Sequence, residues 1–283
     1  MLLNCIKAGY KFSRLTALLS ILFYLILFFL LPSCQHNKLN PVNILPDNTS
    51  VKHSVFFKGA MTRTDTTRKY ISLVFTAHEF AEGYETVKQA LDKHVIKASF
   101  FFTGDFYREP ENAALIHELA KEGHYLGAHS DKHLLYASWE NRDSLLVTKS
   151  EFTNDLMANY KEMEKFGIPK DSALLFLPPY EWYNDSINEW CREMGIILVN
   201  FTPGTIANHD WTYPDPEGNY YSSDSILSNI LNYESEKRMN GFILLLHIGT
   251  DPKRSDKFYF KLDSLLQELL NRGYNFHRLC DAI

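Results

Sequence analysis

The sequence has little cysteine, no excess of positive charge and no internal repeat. Four cysteines in 283 residues exclude a disulfide-rich scaffold. The formal net charge is −5 at pH 7, and loss of the basic first 33 residues would make it about −8. We therefore expect no nucleic acid as a partner, because phosphate binding requires clustered lysine and arginine.

The one long hydrophobic segment lies at the N-terminus. Three basic residues and no acidic one precede or flank the largely apolar segment 15–31, and Ser33 stands directly before Cys34. This order resembles a bacterial lipoprotein signal, in which Cys34 would become the lipidated first residue. The alternative is an uncleaved membrane anchor, since the segment could just span a bilayer. In either case we expect the rest of the chain in the bacterial cell envelope, either periplasmic or at the outer membrane.

Beyond the signal peptide of residues 1–33, the sequence predicts a tether and one domain. Residues 34–54 are polar, rich in Asn, Pro and His, and without periodicity, as is typical of a flexible tether. Residues 55–283 form a single catalytic domain of ordinary size, which we expect to be a monomer. Its cysteines, Cys191 and Cys280, could pair in an oxidising compartment or remain two buried thiols.

From residue 70 onwards, segments typical of strands alternate with amphipathic segments. The strand-like segments are 71–76, 97–102, 125–128, 173–177, 196–200, 242–247 and 274–277. The helix-like segments are 84–94, 110–122, 149–166, 184–194, 223–236 and 257–272. Thr148 to Glu151 forms a capping box before the third of them. Seven strands alternating with six helices predict an α/β fold with a parallel, barrel-like sheet.

Titratable side chains follow the predicted strands at their carboxyl ends. His78 and Glu79 follow the first strand, His129 and His133 follow the third, and His247 ends the sixth. Enzymes built on parallel α/β sheets carry their chemistry at this edge. Two histidines four residues apart can bind one divalent metal, although such a pair alone is also typical of a polar loop.

These segments resemble the polysaccharide deacetylase family, also called the NodB-homology or carbohydrate esterase 4 family, over residues 70–280. The family's HSxxH motif is matched by His129 to His133, and its final Leu-x-His motif by Leu245 to His247. The segment 97–104 is similar to the family's second strand. The resemblance implies a distorted (β/α)7 barrel of the NodB type.

Two motifs of the family are altered in this chain. Where the family has Thr-Phe-Asp-Asp, with a general base followed by a metal ligand, the chain has Thr76-Ala77-His78-Glu79. The arginine that precedes Pro-Pro-Tyr in the family, where it steadies the base aspartate, is Leu177 here. The two changes are physically consistent, because a nearby cation supports an ionised aspartate but lowers the basicity of a neutral histidine.

The resemblance implies a metal-dependent carbohydrate deacetylase. Glu79, His129 and His133 would hold a divalent metal, with zinc expected and cobalt or nickel as alternatives. The metal would polarise the acetyl carbonyl of an acetylated glycan. His78 would accept the proton of the attacking water, and His247 would protonate the leaving amine or alcohol.

Other side chains of the same loops are candidates for binding and orientation. Aromatic rings can stack on the apolar faces of sugars, and a backbone N–H near Tyr180 could stabilise the oxyanion. The residues expected to bind the acetylated carbohydrate are Tyr180, Trp182 and Asp105. The carboxylates that could orient the histidines are Asp105, Asp131 and Asp251.

Two other functions stay open at this stage. A lipid-tethered pseudoenzyme would bind glycan without turnover, as the altered motifs allow. A glycosidase would need a carboxylate pair, such as Glu79 with Glu181 or Asp105. The residues also have ordinary structural explanations: His78 as a histidine at the rim, Glu79 as a surface acid, and His247 as a core histidine.

Overall fold

The computed structural model describes residues 52–215 and 218–283. The predicted lipidation site Cys34, the signal peptide and most of the predicted tether lie outside these residues. Among the described helices, none combines the length and the apolar character that a membrane crossing requires.

Nine strands form one sheet in the described part of the chain. They are β1 (Val55–Phe57), β2 (Ala60–Arg63), β3 (Tyr70–Ala77), β4 (Ser99–Phe102), β5 (Tyr125–Ala128), β6 (Leu175–Phe176), β7 (Ile197–Leu198), β8 (Phe242–His247) and β9 (Asn275–His277). Their order is β1-β2-β8-β3-β4-β5-β6-β7, and β9 pairs with β3. All pairs from β8 through β7 are parallel, so the carboxyl ends of six strands meet at one edge.

Seven α-helices lie between the described strands. They are α1 (Tyr84–Lys93), α2 (Gly104–Arg108), α3 (Ala113–Lys121), α4 (Lys149–Glu164), α5 (Asp185–Glu193), α6 (Ser223–Lys237) and α7 (Leu262–Asn271). Helix α4 begins with the predicted capping box. The Thr148 hydroxyl accepts a hydrogen bond from Glu151 N (3.2 Å), and the Glu151 carboxylate accepts one from Thr148 N (2.7 Å).

The central strands are buried on both faces, which explains their continuous apolar sequence. Alternate residues of β3 and β8 separate into two clusters. Leu73 and Leu244 belong to the large cluster that includes the helices, and Val74 and Leu245 belong to a smaller cluster formed by the other face of the sheet. The sheet therefore has helices on one face and its own packed interior on the other.

The hairpin of β1 and β2 completes the curl of this sheet. Arg63 in β2 pairs antiparallel with Phe242 in β8, while Met61 bridges to Val199 just after β7. The backbone N–H of Asn200 also donates to Met61 O at 2.9 Å. Strand β2 thus contacts both ends of the parallel series. The predicted barrel-like α/β fold is confirmed, with an added hairpin that the alternation of strands and helices did not indicate.

The two cysteines of the described domain are both free thiols. Cys191 is buried in α5, and Cys280 is half-buried near the C-terminus. Of the two alternatives left open by the sequence, the structure contains unpaired thiols rather than a disulfide.

Candidate active site

A cleft of about 650 Å³ opens at the carboxyl ends of the parallel strands. His78 and Glu79 follow β3, His129 follows β5, Tyr180 follows β6, and His247 ends β8. All five line this cleft. These residues span 170 positions of the sequence. The parallel sheet brings them together because each lies at or just after the carboxyl end of a strand.

His129 is fixed from two directions. Its backbone N–H donates to Asn159 Oδ1 (2.8 Å), and its Nδ1 lies 2.7 Å from Leu177 O. A carbonyl oxygen can only accept, so Nδ1 carries the proton and Nε2 keeps its lone pair. Burial lowers the pKa of His129 to about 3. The side chain is therefore a neutral imidazole with one nitrogen available as a ligand.

His133 lies next to His129, with 5.1 Å between the ring centroids. The His133 ring also contacts that of Tyr180, with 4.5 Å between the ring centroids. Burial, together with the neighbouring His129 and His78, lowers the pKa of His133 to about 2. Two neutral imidazoles side by side are donors that a divalent metal prefers.

The turn that joins these two histidines is held by Asp155 of α4. Its carboxylate accepts hydrogen bonds from Ser130 Oγ (2.7 Å), Asp131 N (3.2 Å) and Lys132 N (3.0 Å). The Tyr136 hydroxyl donates to the same group at 2.8 Å. Asp155 was not among the residues that the sequence indicated. Its sequence signal is a carboxylate on the same helix face as the apolar residues Phe152 and Leu156.

His78 stands beside His133 rather than converging with it. The two rings are stacked, with 4.8 Å between centroids and 9° between planes. A ligand nitrogen directs its lone pair within its own ring plane, so two parallel stacked rings do not direct lone pairs at one ion. His78 Nδ1 lies 3.1 Å from Thr103 Oγ1, and its Nε2 is 3.9 Å from the Glu79 carboxylate.

The three residues predicted as metal ligands are not equally placed. His129 is buried and His133 is half-buried, and both supply neutral imidazole nitrogens, which fit a divalent metal. The Glu79 side chain is 65% exposed. Among the residues that the structure describes, no three His, Cys, Asp or Glu side chains are grouped to hold an ion. The histidine pair fits a metal, and a third protein ligand is not gathered with it.

His247 is oriented by Asp210, a residue that the sequence did not single out. His247 Nδ1 lies 2.6 Å from Asp210 Oδ1, and the His247 backbone N–H donates to Asp210 Oδ2 at 2.9 Å. Burial alone would lower the pKa of His247, but the carboxylates of Asp210 and Glu181 outweigh it and raise that pKa. The three expected orienting carboxylates are thus not the ones that hold this histidine. The sequence signal that could have pointed to Asp210 was its neighbour Trp211, an aromatic residue in the loop after β7.

Glu181 is a second acid of the cleft, which the sequence indicated only as a possible member of a glycosidase pair. Burial raises the pKa of Glu181 to about 7, nearby His247 lowers it and Asp210 raises it. Tyr180 and Glu181 both have positive φ, 58° and 53°, and Asn200 Nδ2 anchors the turn by donating to Glu181 O at 2.8 Å. The strained turn thereby places the half-buried Glu181 in the lining of the cleft that contains His247.

The residues expected to bind substrate fall in three places. Tyr180 lines the cleft and is 44% exposed. Trp182 lies in an adjoining cavity, where its Nε1 donates to Ser138 O at 3.2 Å. Asp105 does not line the cleft, because Arg108 (2.6 Å) and Lys132 (2.5 Å) engage its carboxylate in an ion-pair cluster.

The other two expected orienting acids are also engaged elsewhere. Asp131 pairs with Arg108 at 2.8 Å. Asp251 does line the cleft, but its carboxylate accepts the backbone N–H of Lys253 at 2.8 Å. Neither has a hydrogen bond to a cleft histidine in the described part of the chain. The histidines are instead oriented by a backbone carbonyl, a threonine hydroxyl and Asp210.

Comparisons with known proteins agree with this architecture. The profile of the family described as polysaccharide deacetylase matches residues 63–199. A peptidoglycan-N-acetylglucosamine deacetylase of Bacillus cereus is 29% identical over 190 residues, covering 67% of this chain and 76% of the relative. The peptidoglycan-N-acetylmuramic acid deacetylase PdaA of Bacillus subtilis is 25% identical over 234 residues, covering 82% and 76%.

A solved structure shares the fold. A pseudoenzyme of the carbohydrate esterase 4 family from Bacillus anthracis superposes with a TM-score of 0.63 at 18% sequence identity, covering 80% of this chain and 69% of that one. The profile match, the curated relatives and the barrel with its histidine cleft all point to one family. The profile match and the curated relatives support the polysaccharide deacetylase family for this chain, in which the first and third motifs of that family are altered.

Proposed function

We propose that the protein is a metal-dependent deacetylase of an acetylated envelope glycan, with peptidoglycan as the substrate class. The observation that carries the proposal is that the histidines of one cleft have opposite kinds of partner. Asp210 lies 2.6 Å from Nδ1 of His247 and favours the charged form that can protonate a leaving amine. Leu177 O lies 2.7 Å from Nδ1 of His129, which leaves Nε2 of this neutral ring for a metal. The names of the relatives support peptidoglycan as the substrate.

Each side chain has a role in this proposal. A divalent metal held by His129 and His133, with Glu79 as the proposed third ligand and zinc as the expected ion, would polarise the acetyl carbonyl and lower the pKa of water. His78 accepts the water proton at Nε2, which requires its Nδ1–H to donate to Thr103 Oγ1. His247 donates a proton from Nε2 to the leaving amine, because Asp210 engages its Nδ1.

The walls of the cleft suit a sugar chain. Three large aromatic side chains line it and remain about half exposed: Trp139, Tyr180 and Trp211. Exposed rings at a cleft can stack on the apolar faces of pyranose rings. We propose that they position the acetylated sugar, and that a backbone N–H near Tyr180 stabilises the oxyanion.

We also propose where the protein is located in the cell. Cys34 would carry lipid after removal of residues 1–33, and residues 34–54 would tether the domain 55–283 to a membrane of the cell envelope. This arrangement would place the cleft near the wall polymer. Mass spectrometry of the membrane fraction should find a lipidated Cys34 as the first residue, and an unprocessed Met1 chain would contradict it.

A second candidate function is glycan binding without turnover. The observation that favours it is the exposed Glu79 carboxylate, which is not gathered with the two histidines. A lipid-tethered module of this kind would keep the aromatic walls and the sugar affinity. It would release no acetate from any acetylated glycan, even when loaded with metal.

The decisive experiment measures acetate release from N-acetylated peptidoglycan fragments by the protein loaded with zinc, cobalt or nickel. We expect turnover in the wild type, and a loss of about 10²–10⁴-fold in His78→Ala, the usual contribution of a positioned proton acceptor. Metal content and the unfolding midpoint of His78→Ala should stay at the wild-type values.

Each other outcome has a distinct meaning. Metal lost in His78→Ala would make His78 a ligand and would place the proton acceptor elsewhere. Unchanged turnover in His78→Ala would remove it from the reaction. No acetate release by the metal-loaded wild type would replace the proposal by the binding function.

A further inference from the structure

A second cavity of about 400 Å³ adjoins the cleft that contains the histidines. The two cavities share Tyr180, Glu181 and Asn208, so they lie side by side. The second cavity has its own walls, which include Phe57 and Arg142. A chain of linked sugars that places one residue in the cleft would reach this cavity with a neighbouring residue.

Among the described residues that line this cavity, Arg142 is the single cation. Its guanidinium lies over the ring of Trp182, 3.7 Å from the centroid, and 5.2 Å from the ring centroids of Phe57 and Tyr183. Its Nε donates to Tyr183 O at 2.7 Å. These contacts fix the plane of the guanidinium. Within residues 52–215 and 218–283, its two terminal nitrogens have no hydrogen-bond acceptor and no carboxylate within ion-pair distance.

The two carboxylates whose charge acts on Arg142, those of Asp143 and Asp185, are engaged by another cation. Lys58 Nζ contacts the carboxylates of Asp143 (3.2 Å) and Asp185 (3.0 Å). Both acids act on Arg142 only at longer range. The guanidinium stays charged even when partly buried. A fixed, half-buried cation thus faces a cavity with two nitrogen donors free, in the geometry that binds a carboxylate through two parallel hydrogen bonds.

We propose that this cavity is a subsite for a sugar that bears a carboxylate, which Arg142 binds while the acetylated sugar occupies the adjoining cleft. The inference rests on the proposed function, since it concerns the same glycan strand. In peptidoglycan every second sugar is a muramic acid, whose lactyl group supplies such a carboxylate wherever it carries no stem peptide. Uronic acids are another source of the same chemistry. The aromatic walls formed by Phe57 and Phe201 suit the body of the sugar.

The test compares the affinity of the full-length, detergent-solubilised protein for three tetrasaccharides by calorimetry. The probes are alternating N-acetylglucosamine and N-acetylmuramic acid, the same compound with its carboxylates converted to methylamides, and neutral tetra-N-acetylchitotetraose. We expect the wild type to bind the acidic probe about 10–100-fold more tightly than either neutral one, as for a charge-assisted pair. An acetylated oligosaccharide that contains uronic acid tells whether any carboxylate suffices or the lactyl group is needed.

The variants assign that preference to a residue. Arg142→Gln should abolish the preference for the acidic probe and leave the affinity for chitotetraose within about twofold. Lys58→Gln is the matched control, because it removes the same charge from a neighbouring cation that is already paired, and it should keep the preference. Arg142→Lys should keep part of it, since an ammonium lacks the planar pair of donors.

Failure of the subsite is distinguishable from failure of the proposed function. Equal affinity of the wild type for all three probes would overturn the subsite without using any variant, as would an acidic preference that persists in Arg142→Gln. If the protein prefers the acidic probe but releases no acetate, the subsite is supported and the proposed deacetylase activity is refuted. If it releases acetate but does not prefer the acidic probe, the deacetylase activity is supported and the subsite is refuted.

Discussion

Two walls of the same cleft are built in different ways. On one wall, which we call the buried wall, His129 is buried and the His247 side chain is 18% exposed, and each has its Nδ1 fixed by an oxygen far away in the sequence, at 2.7 and 2.6 Å. On the other wall, His78 and Glu79 directly follow β3. Their side chains are 30% and 65% exposed, and the distance between them is 3.9 Å.

The difference in exposure between the two walls coincides with the difference between the matched and the altered family motifs. The buried wall carries the residues that match the family's histidine motifs, and the exposed wall carries the altered first motif. A side chain fixed by burial and by a second partner loses little entropy when it binds a metal or substrate, whereas an exposed carboxylate must first be ordered. Metal affinity should therefore depend mainly on the buried wall, and the rate of proton transfer on the exposed one.

The largest expected effect is on metal affinity, which substitutions on the two walls should change by different amounts. His129→Ala or His133→Ala should weaken zinc binding by more than about 10²-fold, since loss of a mere outer partner already costs about 10–100-fold. Glu79→Ala should weaken it less. Competitive titration with a chelating dye measures each value, and thermal unfolding checks that every variant is folded. Stoichiometric metal in the double histidine variant would refute the site, and an equal loss in Glu79→Ala would break the comparison between the walls.

The sequence was sufficient to predict the alternating strands and helices. The alternation of apolar strands with amphipathic helices predicted β3 to β9 in their order along the chain. Strand ends indicated His78, His129 and His247, which line the cleft, but also Asp105, which does not. It did not predict the hairpin of β1 and β2, because all three residues of β1 are exposed and neither strand continues the alternation. Strand ends can be located from local pattern, whereas pairings between distant short strands cannot.

Orientation inside the site was the part that the sequence could not supply. The group that holds His129 is a backbone carbonyl 48 residues away, which no residue type can indicate. Asp210 is 37 residues from His247 and is one of many acids in loops. Three other acids were expected to have this role and lie in ion pairs or at the rim instead. Choosing among carboxylates requires the three-dimensional distances.

The second prediction concerns Asp210, which supports the buried wall. Asp210→Asn removes the carboxylate that raises the pKa of His247, so that pKa should fall. Turnover at neutral pH should decrease by about 10–10²-fold, less than loss of the acid itself. The alkaline limb of the pH–rate profile should move to lower pH, because His247 then loses its proton earlier. A profile that does not move would show that His247 is not the proton donor.

The same substitution has a defined effect on stability. The folded pKa of His247 is raised above the unfolded value, about 6.5. The Asp210 interaction therefore contributes stability that is fully present below about pH 6.5 and is lost as pH rises through the folded pKa. The difference in unfolding free energy between wild type and Asp210→Asn should be largest at the acid end and should shrink at alkaline pH, as measured by urea titration.

The smallest expected effect tests the exposed wall through Thr103. Its hydroxyl is the partner of His78 Nδ1 and also caps α2 by accepting a hydrogen bond from Phe106 N at 3.1 Å. Thr103→Val keeps the shape and removes both bonds, so the unfolding free energy should fall by about 1 kcal/mol. Turnover should fall by less than about 10-fold, because His78 keeps its proton-accepting nitrogen and loses only its orientation. Thr103→Ser keeps the hydroxyl and should restore both quantities. A loss of turnover in Thr103→Val as large as that in His78→Ala would mean that the hydroxyl fixes His78 as firmly as a carbonyl fixes His129, and the two walls would then differ in exposure alone.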